Sequence, residues 1–143
     1  MRVYLDSSAL VKRAFEEPES SLLRDTVRRH FSKGDLVVSS ALAAVEVSRV
    51  VRHRLEAQSP AELVELVDLA VSGVTLAALT SQVTGVARRL GPASLRTLDA
   101  LHLATASVLA VDLVIAYDHR LLIAAAELGF RTASPGSNSQ FES

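Results

Sequence analysis

Two short apolar runs in this chain, Val3-Tyr4-Leu5 and Leu113-Val114-Ile115-Ala116-Tyr117, each stop on an aspartate, Asp6 and Asp118. Such runs have strand length and are too short for a helix. A run that is apolar without alternation is covered on both faces, as in a parallel sheet. In open parallel sheets, ligands bind just outside the carboxyl ends of the strands. Two further acids stand in apolar surroundings on helical stretches. Glu46 interrupts Ala41-Leu42-Ala43-Ala44-Val45, and Asp99 sits inside Leu98-Asp99-Ala100-Leu101. A carboxylate packed among apolar groups is costly unless it is paired, protonated or holding a cation. Four of them point to one acidic metal site, provided the fold brings them together.

The punctuation along the chain supports an α/β domain with a parallel sheet. Residues 2–5 read as a strand, and either Ser7 or Ser8 can cap a helix to about Phe15. Pro18 stops it, and a helix from Ser20 or Ser21 ends near Gly34. Residues 36–38 form a second strand, after which Ser39 or Ser40 caps a helix to about Gln58. Ser59-Pro60-Ala61-Glu62 is a capping box with proline at the first helical position. Its helix runs to Ser72, and residues 74–77 follow as a strand. Helices over 81–90, 97–110 and 119–128 alternate with strands over 113–116 and 130–132. The fold is expected to span residues 1–132, with a polar, disordered tail over 133–143.

Composition narrows the function classes. The 143 residues suit one domain with a real core. With no cysteine, disulfides and thiolate metal sites are excluded. The net charge of −1 leaves no global basic field for nucleic acid. Positive charge is concentrated in 13 arginines against the two lysines Lys12 and Lys33. Arginine is the better bidentate phosphate donor. No apolar run approaches the ~18 residues that span a membrane, so a cytoplasmic protein is expected.

Each acid has a plain structural role as well as a functional one. Asp6 and Asp118 could simply cap the helices that follow them. Asp99 suits the dipole at the start of its helix. Glu46 has Leu42, Ala43 and Val50 among its helical neighbours, so it points partly into a packed face. Crowded ionised carboxylates repel, and a divalent cation with a preference for oxygen, Mg²⁺ or Mn²⁺, removes that repulsion. Such an ion orients a phosphodiester and activates water. Ser8 could orient Asp6, while His102 and His119 could be ligands, proton carriers or ordinary core residues. Arg49 and Arg52, one and two turns beyond Glu46, could meet RNA phosphates or an acidic partner.

The order and context of these acids resemble the PIN-domain ribonucleases, above all the VapC-type toxins of toxin–antitoxin pairs. Asp6-Ser7-Ser8-Ala9-Leu10-Val11-Lys12 resembles that family's opening motif, and Ser40 to Val50 its second-acid helix. Thr97-Leu98-Asp99-Ala100-Leu101-His102-Leu103-Ala104-Thr105-Ala106 is similar to its third-acid helix and is the most specific match. Tyr117-Asp118-His119-Arg120-Leu121 resembles its closing segment, although Ala116 stands where that family often has threonine. The resemblance implies a three-layer α/β/α sandwich and a Mg²⁺- or Mn²⁺-dependent endoribonuclease. It also implies a homodimer or higher oligomer, and a small antitoxin that blocks the site. It gives metal or catalytic roles to Asp6, Glu46, Asp99 and Asp118. The competing readings are an inactive PIN-like RNA- or protein-binding module and a housekeeping RNA-processing nuclease. An aspartyl-phosphate phosphatase is disfavoured because Ser8 stands where its second acid belongs. A receiver domain would need a late lysine, and both lysines lie before residue 34.

Overall fold

The sequence alternates strand and helix throughout, and the computed structural model, which describes residues 1–55 and 59–137, follows that alternation. In order the elements are β1 (Arg2–Leu5), α1 (Ser7–Ala14), α2 (Ser20–Ser32), β2 (Leu36–Ser40), α3 (Ala41–Arg54) and α4 (Pro60–Val71). They continue with β3 (Thr75–Ala77), α5 (Ser81–Ala87), α6 (Thr97–Val108), β4 (Leu113–Ile115), α7 (His119–Glu127) and β5 (Arg131–Ala133). The strands form one sheet in the order β3-β2-β1-β4-β5, and every pairing is parallel. β1 is central: Val3 faces Val37 on one side and Leu113 on the other. The chain first builds outward through β2 and β3, then crosses to β4 on the opposite side of β1. That reversal opens a crevice at the carboxyl ends of β1 and β4, where α/β sheets bind ligands.

Strand alternation divides the core in two. Val3 and Leu5 of β1 and Leu113 and Ile115 of β4 pack with Leu10, Leu23, Val27, Val47 and Val51 beneath α1–α4. Tyr4 and Val114 face the other way, onto Leu103 and Ala106 of α6 and Leu121, Leu122 and Ala125 of α7. The result is the expected three-layer α/β/α sandwich. Full burial of one such leucine contributes about 1.5–3 kcal/mol.

Several boundaries differ from the sequence expectation. α1 is capped by Asp6 itself rather than by Ser7 or Ser8: the Asp6 carboxylate accepts from the Ala9 amide. The rival cap for α3 is resolved in favour of Ser40, which accepts from Leu42 N. α3 ends at Arg54, and the rest of the expected helix to Gln58 lies outside the described residues. α5 stops at Ala87 and turns through an Arg89 N to Val86 O bond into Gly91, whose φ of 71° suits glycine. The fold also continues past residue 132. Ala133 completes β5, and Ser134 is buried with its hydroxyl on the Ala116 carbonyl at 2.6 Å. The Ser134 hydroxyl, together with the Pro135 carbonyl that accepts from the Tyr117 hydroxyl, therefore ties the start of the supposed tail to the fold. The remainder of that tail, 138–143, lies outside the described residues.

Candidate metal and catalytic centre

Asp6 leaves the central strand at its carboxyl end and is 3% exposed. Its Oδ1 accepts from Ser8 Oγ at 2.6 Å and from Ala9 N at 3.0 Å. Burial raises its carboxyl to about pKa 6, against the pull of the Ser8 and Ala9 bonds, and the charge of Asp118 adds to the rise. Ser8 is not a cap but a bridge. It donates to Asp6 while accepting from the Tyr117 amide at 2.9 Å, so it ties the end of β1 to the segment after β4.

Asp118 follows β4 and caps α7, accepting from Arg120 N at 2.9 Å and Leu121 N at 3.3 Å. Upstream of it, Ala116 is fully buried. Its carbonyl is held by Ser134, and the next amide by Ser8, so the backbone entering Asp118 is fixed by serines from two other segments.

Asp99 lies in the first turn of α6. Its side chain is 13% exposed, with Arg96 Nε at 3.7 Å from Oδ2. That oxygen is buried and has no hydrogen-bond partner. Burial raises the Asp99 carboxyl, Asp118 and Glu46 add to the rise, and Arg96 and His102 oppose it. Arg96 and Asp99 share a depression of about 260 Å³ with Arg120 and Ile123.

Glu46 sits beside the buried stripe Ala43, Val47 and Val51 of α3. Its Oε1 meets His102 Nε2 at 2.6 Å, and His102 Nδ1 meets the Tyr4 hydroxyl at 2.6 Å. Both ring nitrogens of His102 are therefore engaged within the protein. Tyr4 stands edge-on to the imidazole, with ring centroids 5.9 Å apart. Burial, and next the charge of Asp6, hold its hydroxyl well above the usual range, so it keeps its proton. Tyr4 was not singled out from the sequence, yet a signal existed. A tyrosine in a doubly covered strand must find a partner for its hydroxyl.

All four acids thus gather around the carboxyl edge of β1 and β4 and influence one another's charge. Their side chains do not converge on one point: among the described residues, no three His, Asp or Glu side chains form a group able to hold an ion. Glu46, Asp6 and Asp118 are each turned to a partner of their own. The donor set still fits a divalent cation in chemistry. It is all carboxylate oxygen, and Asp99 Oδ2 is a buried acceptor that receives no hydrogen bond, with Arg96 held at ion-pair distance only. Arg49 and Arg52 are exposed on α3 and line a different depression, of about 500 Å³, with His53, Leu55, Ser59, Pro60 and Leu63. None of the four acids borders it. His119, the first residue of α7, is exposed.

A PIN-domain family model matches residues 3–127. The chain belongs to the PIN-domain family. This PIN domain is 40% identical over 138 residues to Ribonuclease VapC47 of Mycobacterium tuberculosis, covering 94% of the chain and 98% of the relative. It is 42% identical over 135 residues to Ribonuclease VapC46 of the same species, covering 93% and 97%. Among solved structures it resembles M. tuberculosis VapC20, a sarcin-ricin loop cleaving toxin, with a TM-score of 0.67 and 14% identity over 93% of this chain and 99% of that one. It also resembles VapBC2 from Rickettsia felis, crystallised on a DNA fragment from its promoter, with a TM-score of 0.71 and 12% identity over 93% and 98%. This PIN domain is a VapC-type toxin ribonuclease. PIN-domain ribonucleases generally depend on a divalent metal. No helix among the described residues is long and apolar enough to cross a membrane.

Proposed function

We propose that Asp6, Glu46, Asp99 and Asp118 together hold Mg²⁺ or Mn²⁺ and that this centre cleaves single-stranded or loop RNA. The observation that carries the reading is the buried Oδ2 of Asp99, which accepts no hydrogen bond and lies in the field of the Asp118 and Glu46 carboxylates. A bound divalent ion activates water and stabilises charge on the leaving oxygen. Around it, Ser8 keeps one Asp6 oxygen occupied and oriented, leaving the other for the centre. The α7 amides hold Asp118 in the same way. Arg49 and Arg52 supply phosphate contacts that a centre made of acids cannot. Unpaired strands suit a shallow site because their backbone and bases are accessible.

The partner is a small antitoxin, and the assembly is a homodimer or higher oligomer. An arginine of the antitoxin pairs bidentately with these carboxylates and replaces the cation's charge. The acids then serve both catalysis and inhibition.

The test uses wild-type protein, Asp6→Asn and Asp99→Asn on single-stranded RNA and duplex DNA, with and without EDTA. We expect RNA cleavage that EDTA stops and that both variants lose by at least 100-fold while keeping the native circular dichroism spectrum. Full activity in both variants, or a preference for DNA duplex, refutes the assignment. In cells, growth arrest by the wild-type chain should be absent for these variants and relieved by co-expressing the product of the adjacent upstream reading frame. Harmless expression of the wild type, with no neighbouring product binding it, leaves a housekeeping nuclease as the better description.

A further inference from the structure

Tyr4 is fully buried, His102 is 3% exposed, and together they form an unbroken chain of hydrogen bonds to Glu46. A neutral imidazole has one donor nitrogen and one acceptor nitrogen. If Nδ1 carried the hydrogen, the bare lone pair of Nε2 would face a carboxylate oxygen at 2.6 Å. With the Tyr4 hydroxyl donating to Nδ1, the hydrogen is placed on Nε2, where it donates to Glu46. The tyrosine therefore sets the tautomer, and the tautomer sets the carboxylate. Only Oε1 is engaged by His102.

The connections of this chain to the backbone distinguish it from ordinary satisfaction of core polar groups. Tyr4 stands two residues before Asp6 on the central strand, and His102 one helical turn after Asp99 on α6. Glu46 comes from α3, a third element. One imidazole thus fixes the Glu46 carboxylate against the strand that leads into Asp6 and the helix that carries Asp99. Partners that orient metal-binding side chains are worth about 10–100-fold in affinity or activity.

We infer that Tyr4 and His102 are positioning residues that present the Glu46 carboxylate to the cation. This rests on the placement of Glu46 in the metal centre proposed above.

The test is calorimetric titration of the metal-free protein with Mn²⁺, alongside kcat and KM on RNA. Tyr4→Phe removes one hydroxyl and keeps the ring packed. It should weaken Mn²⁺ binding about 10-fold and lower kcat similarly, with KM for RNA within about two-fold of wild type. The loss should vanish in a Glu46→Gln background, because there is no longer a carboxylate to position. Wild-type Mn²⁺ affinity and kcat in Tyr4→Phe overturn the inference even if the melting temperature falls. Should Tyr4→Phe not fold, a second pair decides. His102→Gln places an amide donor where Nε2 was and His102→Asn does not, so Gln must retain several-fold more Mn²⁺ affinity than Asn. Equal losses overturn the inference. If Glu46→Gln itself binds Mn²⁺ as tightly as wild type, the failure lies with the ligand assignment, and the positioning role falls with it.

Discussion

Asp6 serves two requirements that pull its proton in opposite directions. As the cap of α1 it accepts from Ala9 N, which favours the carboxylate; as a buried group it favours the neutral acid, and burial dominates. Its folded-state pKa of about 6 lies above the ordinary value of 3.8. Protonated Asp6 therefore favours the fold. That contribution is complete below about pH 3.8 and is lost as pH rises through about 6. At neutral pH the metal-free protein carries a penalty of roughly 3 kcal/mol, from two pKa units at about 1.4 kcal/mol each. Asp6→Asn keeps an oxygen for the cap and removes the charge. Without metal it should melt roughly 5–10 °C above wild type at pH 7.5, with the gap closing by pH 4. Superimposable melting differences at the two pH values would show that Asp6 is not desolvated as described. The sequence made the anomaly of this acid visible, because an aspartate ending a buried strand is conspicuous. It did not distinguish Asp6 from Ser7 or Ser8 as the cap, since all three are good caps and only the path of the chain chooses.

At the scale of elements, the strands and caps were the legible part. Ser59 accepts from Glu62 N as the capping box implied, and the apolar runs became β1, β2 and β4. Contacts between elements were less legible. Nothing local in Tyr4 announces His102, and nothing in Ser8 announces the Tyr117 amide; both bonds exist only once β1, β4 and α6 are assembled. Capping and chemistry are also superposed in α7, and a pair of variants separates them. Asp118→Asn retains a good cap, whereas Asp118→Ala loses it at a cost of about 1 kcal/mol. We expect both to lose RNA cleavage, but only the alanine variant to show a lower urea midpoint. A cost to stability shared equally by both would mean that the charge, not the cap, holds the start of α7.

For the whole molecule, the closing edge of the sheet extends further than composition suggests. Ser134 supports the Ala116 carbonyl, and the Pro135 carbonyl accepts from the Tyr117 hydroxyl at 2.7 Å. Small polar residues and a proline read as tail, and only the tertiary partners turn them into structure. A chain ended after Ser137 should keep the melting temperature and cleavage rate of the full chain. One ended after Thr132 strands a buried carbonyl, at about 1–3 kcal/mol, and loosens the approach to Asp118. It should melt lower and cleave more slowly. Identical behaviour of the two truncations would return the boundary to residue 132. The strand order carries a consequence for when the proposed centre can form during synthesis. β1 is synthesised early but finds its partner β4 only when Leu113 reaches Val3, and Asp118 follows a few residues later. The cleft is thus closed by the pairing most remote along the chain, the kind that forms late and slowly. A growing chain that has not yet reached β4 carries Asp6 and Glu46 but lacks Asp118, so the centre proposed above cannot assemble until that strand is made.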